Sequence, residues 1–218
     1  MATGALGGPV SGPPVAGPWT RTELGLVVDH ATGGRWTSLR AGEREWLAEP
    51  AQEVFGRADD DEGTGTRAWQ PSAEAADRLG QPSGSPAWRV VDEVGSLART
   101  LNTLSGAVRI GYRTVTREPW RHEVRVPLSA AAGSLEAVTD DRGLVGPSGW
   151  AHAWVLDGPD ALGLHWTTDQ REDLGLLRLR TGTGATEQLV APSIGSPEQP
   201  VPPRRDLSWR LVLTAWRR

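Results

Sequence analysis

The sequence contains neither cysteine nor lysine. The first absence removes disulfides, a thiolate nucleophile and any cysteine-ligated metal. The second removes a lysine Schiff base, the usual anchor of pyridoxal phosphate, and the phosphate-binding P-loop with its lysine. All 23 basic side chains are therefore arginine. Aromatics other than tryptophan are scarce: Phe55 and Tyr112 stand beside 11 tryptophans. Acid–base work falls to the carboxylates, Tyr112 and four histidines, His30, His122, His152 and His165. The net charge is −4 and the arginines are dispersed among acidic residues, so there is no basic footprint for nucleic acid or an anionic membrane. No run is long enough to cross a bilayer as a helix. A Gly-rich dinucleotide motif and a Gly-x-Ser-x-Gly elbow are both missing, and Gly182-Thr183-Gly184 reads as a turn. Asp59-Asp60-Asp61-Glu62 lacks the alternating ligands and glycine placement of a calcium loop. Neither a metal nor a cofactor is expected.

What remains is a chain of 218 residues, suited to one domain of the larger all-β kind. Residues 1–18 are rich in Gly, Pro and Ala, without early basic residues or a long apolar run. They read as a flexible leader rather than a signal peptide, which makes a cytoplasmic location the default. Residues 19–218 read as a single domain. Short β-type runs between Gly, Pro and Asp signals recur, and no long amphipathic helix is present. Strands are expected at 23–28, 35–40, 44–48, 87–94, 96–105, 107–116, 120–128, 149–156, 162–167, 174–180, 187–191 and 207–216. Residues 50–86, 140–148 and 193–205 read as loops, the first long enough to be functional. Along 120–128, His122, Val124 and Val126 face one way, Arg121, Glu123 and Arg125 the other. Many short strands without a fixed repeat argue for an antiparallel β-sandwich.

Three segments then carry a resemblance. Gly33-Gly34-Arg35-Trp36-Thr37-Ser38-Leu39-Arg40 precedes Gly42-Glu43-Arg44-Glu45-Trp46-Leu47. Tyr112-Arg113-Thr114-Val115-Thr116 precedes Pro127-Leu128 and Ala130-Ala131-Ala132-Gly133-Ser134-Leu135-Glu136. Leu189-Val190-Ala191-Pro192-Ser193-Ile194-Gly195-Ser196-Pro197 comes last, followed by Trp209. In this order they resemble the galactose mutarotase (aldose 1-epimerase) family. The resemblance implies an antiparallel β-supersandwich binding a sugar across a concave sheet, here in a divergent and shortened form. It also implies where the proton carriers belong. The family's Glu-Pro base position is occupied by Ala191 before Pro192, and its His-Pro acid position by Val126 before Pro127. A further family histidine is expected near Asp77-Arg78-Leu79-Gly80, where none stands. Ordinary epimerase catalysis is therefore not expected.

His122, four residues before Val126 on the same face, is the candidate replacement acid, set against a histidine bonded within the core. Glu123 faces the other way, so the two form no dyad. Glu198 stands near the vacant base position or is simply exposed. His152 and His165 sit beside Trp154 and Trp166, either packed or in an aromatic pocket; His30 falls in a turn and reads as solvated. Arg57 and Arg67 flank the acidic run and either clamp an anionic ligand or balance surface charge. Trp69, Trp88, Trp120 and Trp150 lie near loops and offer indole faces to a sugar ring or hydrophobic metabolite. Three functions stay open: a sugar-binding epimerase relative, a non-catalytic binding module, and a cofactor-free isomerase or cyclase of specialised metabolism.

Overall fold

The computed structural model describes residues 12–13, 16–60, 64–65, 67–74, 79, 86–129, 135–137, 150–170, 176–183, 188–203 and 206–218. The expected loop at 140–148 lies outside them. Two sheets form the sandwich. The larger has nine strands, in the order β11 (Leu135–Ala137), β12 (Ala151–Asp157), β13 (Asp160–Thr168), β16 (Leu207–Arg217), β9 (Ala107–Thr116), β8 (Gly95–Leu104), β7 (Ala87–Asp92) and β6 (Gln70–Pro71), with β1 (Thr20–Thr22) also on β16. The smaller has four: β14 (Leu177–Thr183), β15 (Gln188–Ile194), β10 (Arg121–Leu128) and β5 (Gln52–Gly56). A separate ribbon of β2 (Leu24–Asp29), β3 (Arg35–Ala41) and β4 (Arg44–Glu45) adjoins it, bridged from Trp36 to Ala51 and from Leu47 to Leu128. Every pairing is antiparallel, so the fold is an all-β sandwich.

Alternation explains the core. Leu207, Trp209, Leu211 and Leu213 of β16 and Val108, Ile110 and Tyr112 of β9 are buried on one face of the large sheet. They meet His122, Val124 and Val126 of β10 and Phe55 of β5 from the small sheet, which places one apolar layer between two pleated surfaces. Turns fall where glycine allows a positive φ, as at Gly34 (68°) and Gly42 (59°).

Three expectations need correction. Residues 50–86 are not one loop, because β5 and β6 lie within them. Ser193 and Ile194 belong to β15, and Gly182 and Thr183 to β14. Each error has one cause: a Pro or Gly nearby was read as a breaker, although edge and terminal strand positions tolerate both. β11 escaped notice altogether. Among the described residues no helix is long and apolar enough to cross a membrane.

Candidate functional site

A register row runs across the large sheet from Trp88 through Arg99 and Tyr112 to Trp209 and Thr168. In-register residues share a face, so this row looks inward at the small sheet. There it meets Glu53 of β5, a fully buried carboxylate. The Trp36 Nε1–H donates to Glu53 Oε1 at 2.9 Å and the Tyr112 hydroxyl donates at 2.8 Å. Arg99 Nη1 makes an ion pair with the same oxygen at 2.8 Å. Burial pushes the Glu53 carboxyl up, but the Arg99 guanidinium, helped by His122 and Tyr112, outweighs it and holds the group down at about 2. Burial and the Glu53 charge raise Tyr112 well above its ordinary value, so the phenol stays a donor.

The other oxygen is different. Glu53 Oε2 lies 3.8 Å from His122 Nε2, too far for a hydrogen bond. Both atoms are buried, and neither has a hydrogen-bond partner. The His122 ring tilts against Tyr112 and Trp209, with centroids at 4.7 and 5.2 Å. A crevice of about 250 Å³, counted to its open mouth, runs between the sheets here, lined chiefly by Tyr112, His122, Trp166, Leu177, Trp209 and Leu211. The space it leaves free is little more than that of one water molecule.

Arg99 extends the network to the sheet edge. Its Nη2 lies 2.8 Å from His30 Nδ1, and because a guanidinium only donates, that nitrogen accepts. Arg99 also donates to the Gly34 carbonyl and stands over the Trp69 ring at 4.1 Å. His30 is thus not merely solvated: it stacks on Trp88 at 3.7 Å and 9°. Burial, then Arg99, lowers its pKa to about 4.

The remaining candidates lie elsewhere. Trp120 is buried between Phe55 and Trp209. Arg57 pairs with Glu118 and Glu93 at the surface, and Arg67 with Asp92 and the Val91 carbonyl. Trp150 is half-buried just before β12, and Glu198 is exposed. His152 and His165 sit on the opposite face of the large sheet as register partners, with Nδ1 atoms 2.7 Å apart. His165 is completed by Thr214 Oγ1 at 3.1 Å and the edge of Trp154. Burial, then His152 and Arg21, lowers His165 to about 3, and burial lowers His152. On the outer face of the small sheet, Glu123 pairs with Arg125 and with Arg180 at 2.9 Å, turned away from His122 as alternation requires. Among the described residues no group of three or more His or carboxylate side chains could hold a metal. Structure thus joins His122, Trp69 and Trp88 around Glu53 and Arg99, and leaves Trp120, Arg57, Arg67, His152 and His165 outside.

No family model matches the chain, and no curated protein sequence matches it. Solved structures do match. The Slr1438 protein of Synechocystis sp. PCC 6803 superposes with a TM-score of 0.57 at 12% identity, covering 96% of this chain and 99% of its own. A protein of Escherichia coli K12 named as a candidate aldose 1-epimerase gives 0.54 at 9%, covering 90% and 99%. A galactose mutarotase-like protein of Lactobacillus casei ATCC 334 gives 0.53 at 10%, with the same coverage. The fold is galactose mutarotase-like. At these identities the likeness concerns the fold alone. Within this galactose mutarotase-like fold, Val126 pairs in register with Val190, so Val126 and the neighbouring Ala191 point to opposite faces of the small sheet. Both are fully buried.

Sequence reading missed Glu53, Arg99, Trp36 and Trp209 as members of the buried centre. A signal existed for one of them. Arg99 stands between Leu97 and Leu101 on the inward stripe of β8, and a charge there requires a buried counterion.

Proposed function

We propose that this protein binds a small, sugar-like molecule at the inter-sheet crevice and that His122 exchanges a proton with it. One observation supports the reading: His122 Nε2 and Glu53 Oε2 face each other at 3.8 Å, buried and without hydrogen bonds, at the crevice lined by His122. An ionised carboxylate behind an imidazole stabilises the imidazolium formed when a proton is taken up. Anomer exchange requires one proton removed from the anomeric hydroxyl and one delivered to the ring oxygen. A single imidazole serves both steps only in turn, so turnover is slow. Polarimetry of D-galactose tests this: the protein accelerates equilibration, and His122→Gln abolishes the acceleration. An unaccelerated rate at high protein concentration removes proton exchange with aldoses from the proposal.

The second reading is a non-catalytic binding module. It is favoured by the clamp on Glu53, whose Oε1 meets Trp36, Tyr112 and Arg99 at once, an arrangement that serves stability. Quenching of tryptophan emission by ligand, without turnover, is its signature.

A further inference from the structure

We propose that the outer face of the large sheet binds a phosphate group, free or as a monoester, between Arg21 and Arg109. This face lies away from the inter-sheet crevice, so the site stands independently of the function proposed there. Register sets both arginines on one surface. One row crosses the sheet as Asn102, Arg109, Val212, His165 and His152. Another holds Arg21 and Trp216, four residues further along β16 and so roughly 13 Å away. Between them runs the row of Ala107, Thr214 and Gly163, whose side chains are short or absent. That low row leaves the space above it to the two long arginine side chains. Burial, then the Arg109 charge, lowers the Arg21 guanidinium from its ordinary value, as expected of like charges brought together.

Neither cation meets a counterion. Among the described residues no hydrogen bond or ion pair reaches Arg21 or Arg109, and both Nε atoms are buried without an acceptor. Arg21 stands over the Trp216 ring at 5.8 Å. Both residues are half-buried, and their terminal nitrogens are not among the enclosed atoms, so these remain open to solvent. Arg99, Arg113 and Arg210, by contrast, each pair with a carboxylate. The neighbouring histidines add no charge at neutral pH, since His165 titrates at about 3 and burial lowers His152. Two positive charges thus stand side by side, uncompensated. A carboxylate brings one negative charge, and the fork of a single guanidinium satisfies it. A phosphate monoester brings about −1.5 to −2 and three acceptor oxygens, enough for both arginines.

Isothermal titration of the full chain at constant ionic strength with inorganic phosphate, glycerol 1-phosphate and acetate tests the proposal. At least one of the phosphates is expected to bind about tenfold or more tightly than acetate. Tighter binding of the monoester supports an organic phosphate as the ligand, and tighter binding of inorganic phosphate supports the free ion. Arg21→Gln and Arg109→Gln should each weaken phosphate by about tenfold or more. Because either variant could misfold, the arginine Nε–H resonances of the wild type are followed in parallel. Those of Arg21 and Arg109 should shift together on saturation. Acetate binding as tightly as both phosphates overturns the ligand class. Binding of neither phosphate overturns the site. Phosphate binding that leaves both resonances unmoved overturns the placement.

Discussion

Glu53 and Arg99 form a 2.8 Å ion pair between the two sheets, with each side chain only 1% exposed. Neither charge has water to fall back on. Removing one partner strands the other, which typically costs about 3–5 kcal/mol, whereas replacing both with neutral groups costs far less. Glu53→Gln should therefore lower the urea midpoint sharply, and Glu53→Gln with Arg99→Met should recover much of the loss. A double variant no more stable than the single one would show that the pair is not coupled.

Acid should unfold the protein in two overlapping stages. His165 and His30 titrate at about 3 and about 4 in the folded state against 6.5 in an open chain. Their contribution is full above pH 6.5 and declines as pH falls through the two folded values. Glu53, at about 2 against 4.5, contributes fully above pH 4.5 and loses that contribution towards pH 2. Melting temperature measured from neutral pH downward should therefore begin to fall below about pH 6.5. His165→Gln should flatten the upper part of that curve. A curve flat down to about pH 5 would contradict the histidine assignment.

Gly163 makes room for the histidine pair. A Cβ there would lie 2.5 Å from His165 Nε2, 2.5 Å from Trp154 Cζ3 and 2.7 Å from Thr214 Oγ1. Gly163→Ala should cost about 1–3 kcal/mol by overpacking, measured by denaturant unfolding. An unchanged midpoint would mean that these side chains move aside freely.

Two turn glycines share a left-handed backbone and differ in surroundings. A Cβ on Gly42 meets nothing within 4 Å, but on Gly34 it would lie 2.3 Å from Trp69 Nε1. Gly42→Ala should cost about 1–2 kcal/mol, the conformational penalty alone. Gly34→Ala adds the displacement of an indole that stacks on Arg99, so it should be clearly worse. Equal losses in parallel thermal melts would refute the distinction.

The strands were legible because their alternation is local. β9 covers Ala107–Thr116 as read from sequence, and β10 begins only one residue later than expected. The centre was less legible, because its members come from β3, β5, β8, β9, β10 and β16 and meet only after both sheets close. Glu53 lay in a five-residue strand between Pro50 and Gly56, inside what looked like a long loop. His30 looked solvated because nothing local announces that Trp88 will stack on it. The inward direction of His122 could be counted from Val126. The oxygen opposite it could not.

The last strand of the large sheet has a consequence for how the chain comes together. β16 pairs with β9 on one edge and β13 on the other, and beyond Thr214 with β1. Until residues 207–217 dock, the borders of β9 and β13 that they join each present an unsatisfied ladder. The layer thus closes only when this segment docks, and any folding intermediate that lacks it carries two sticky borders.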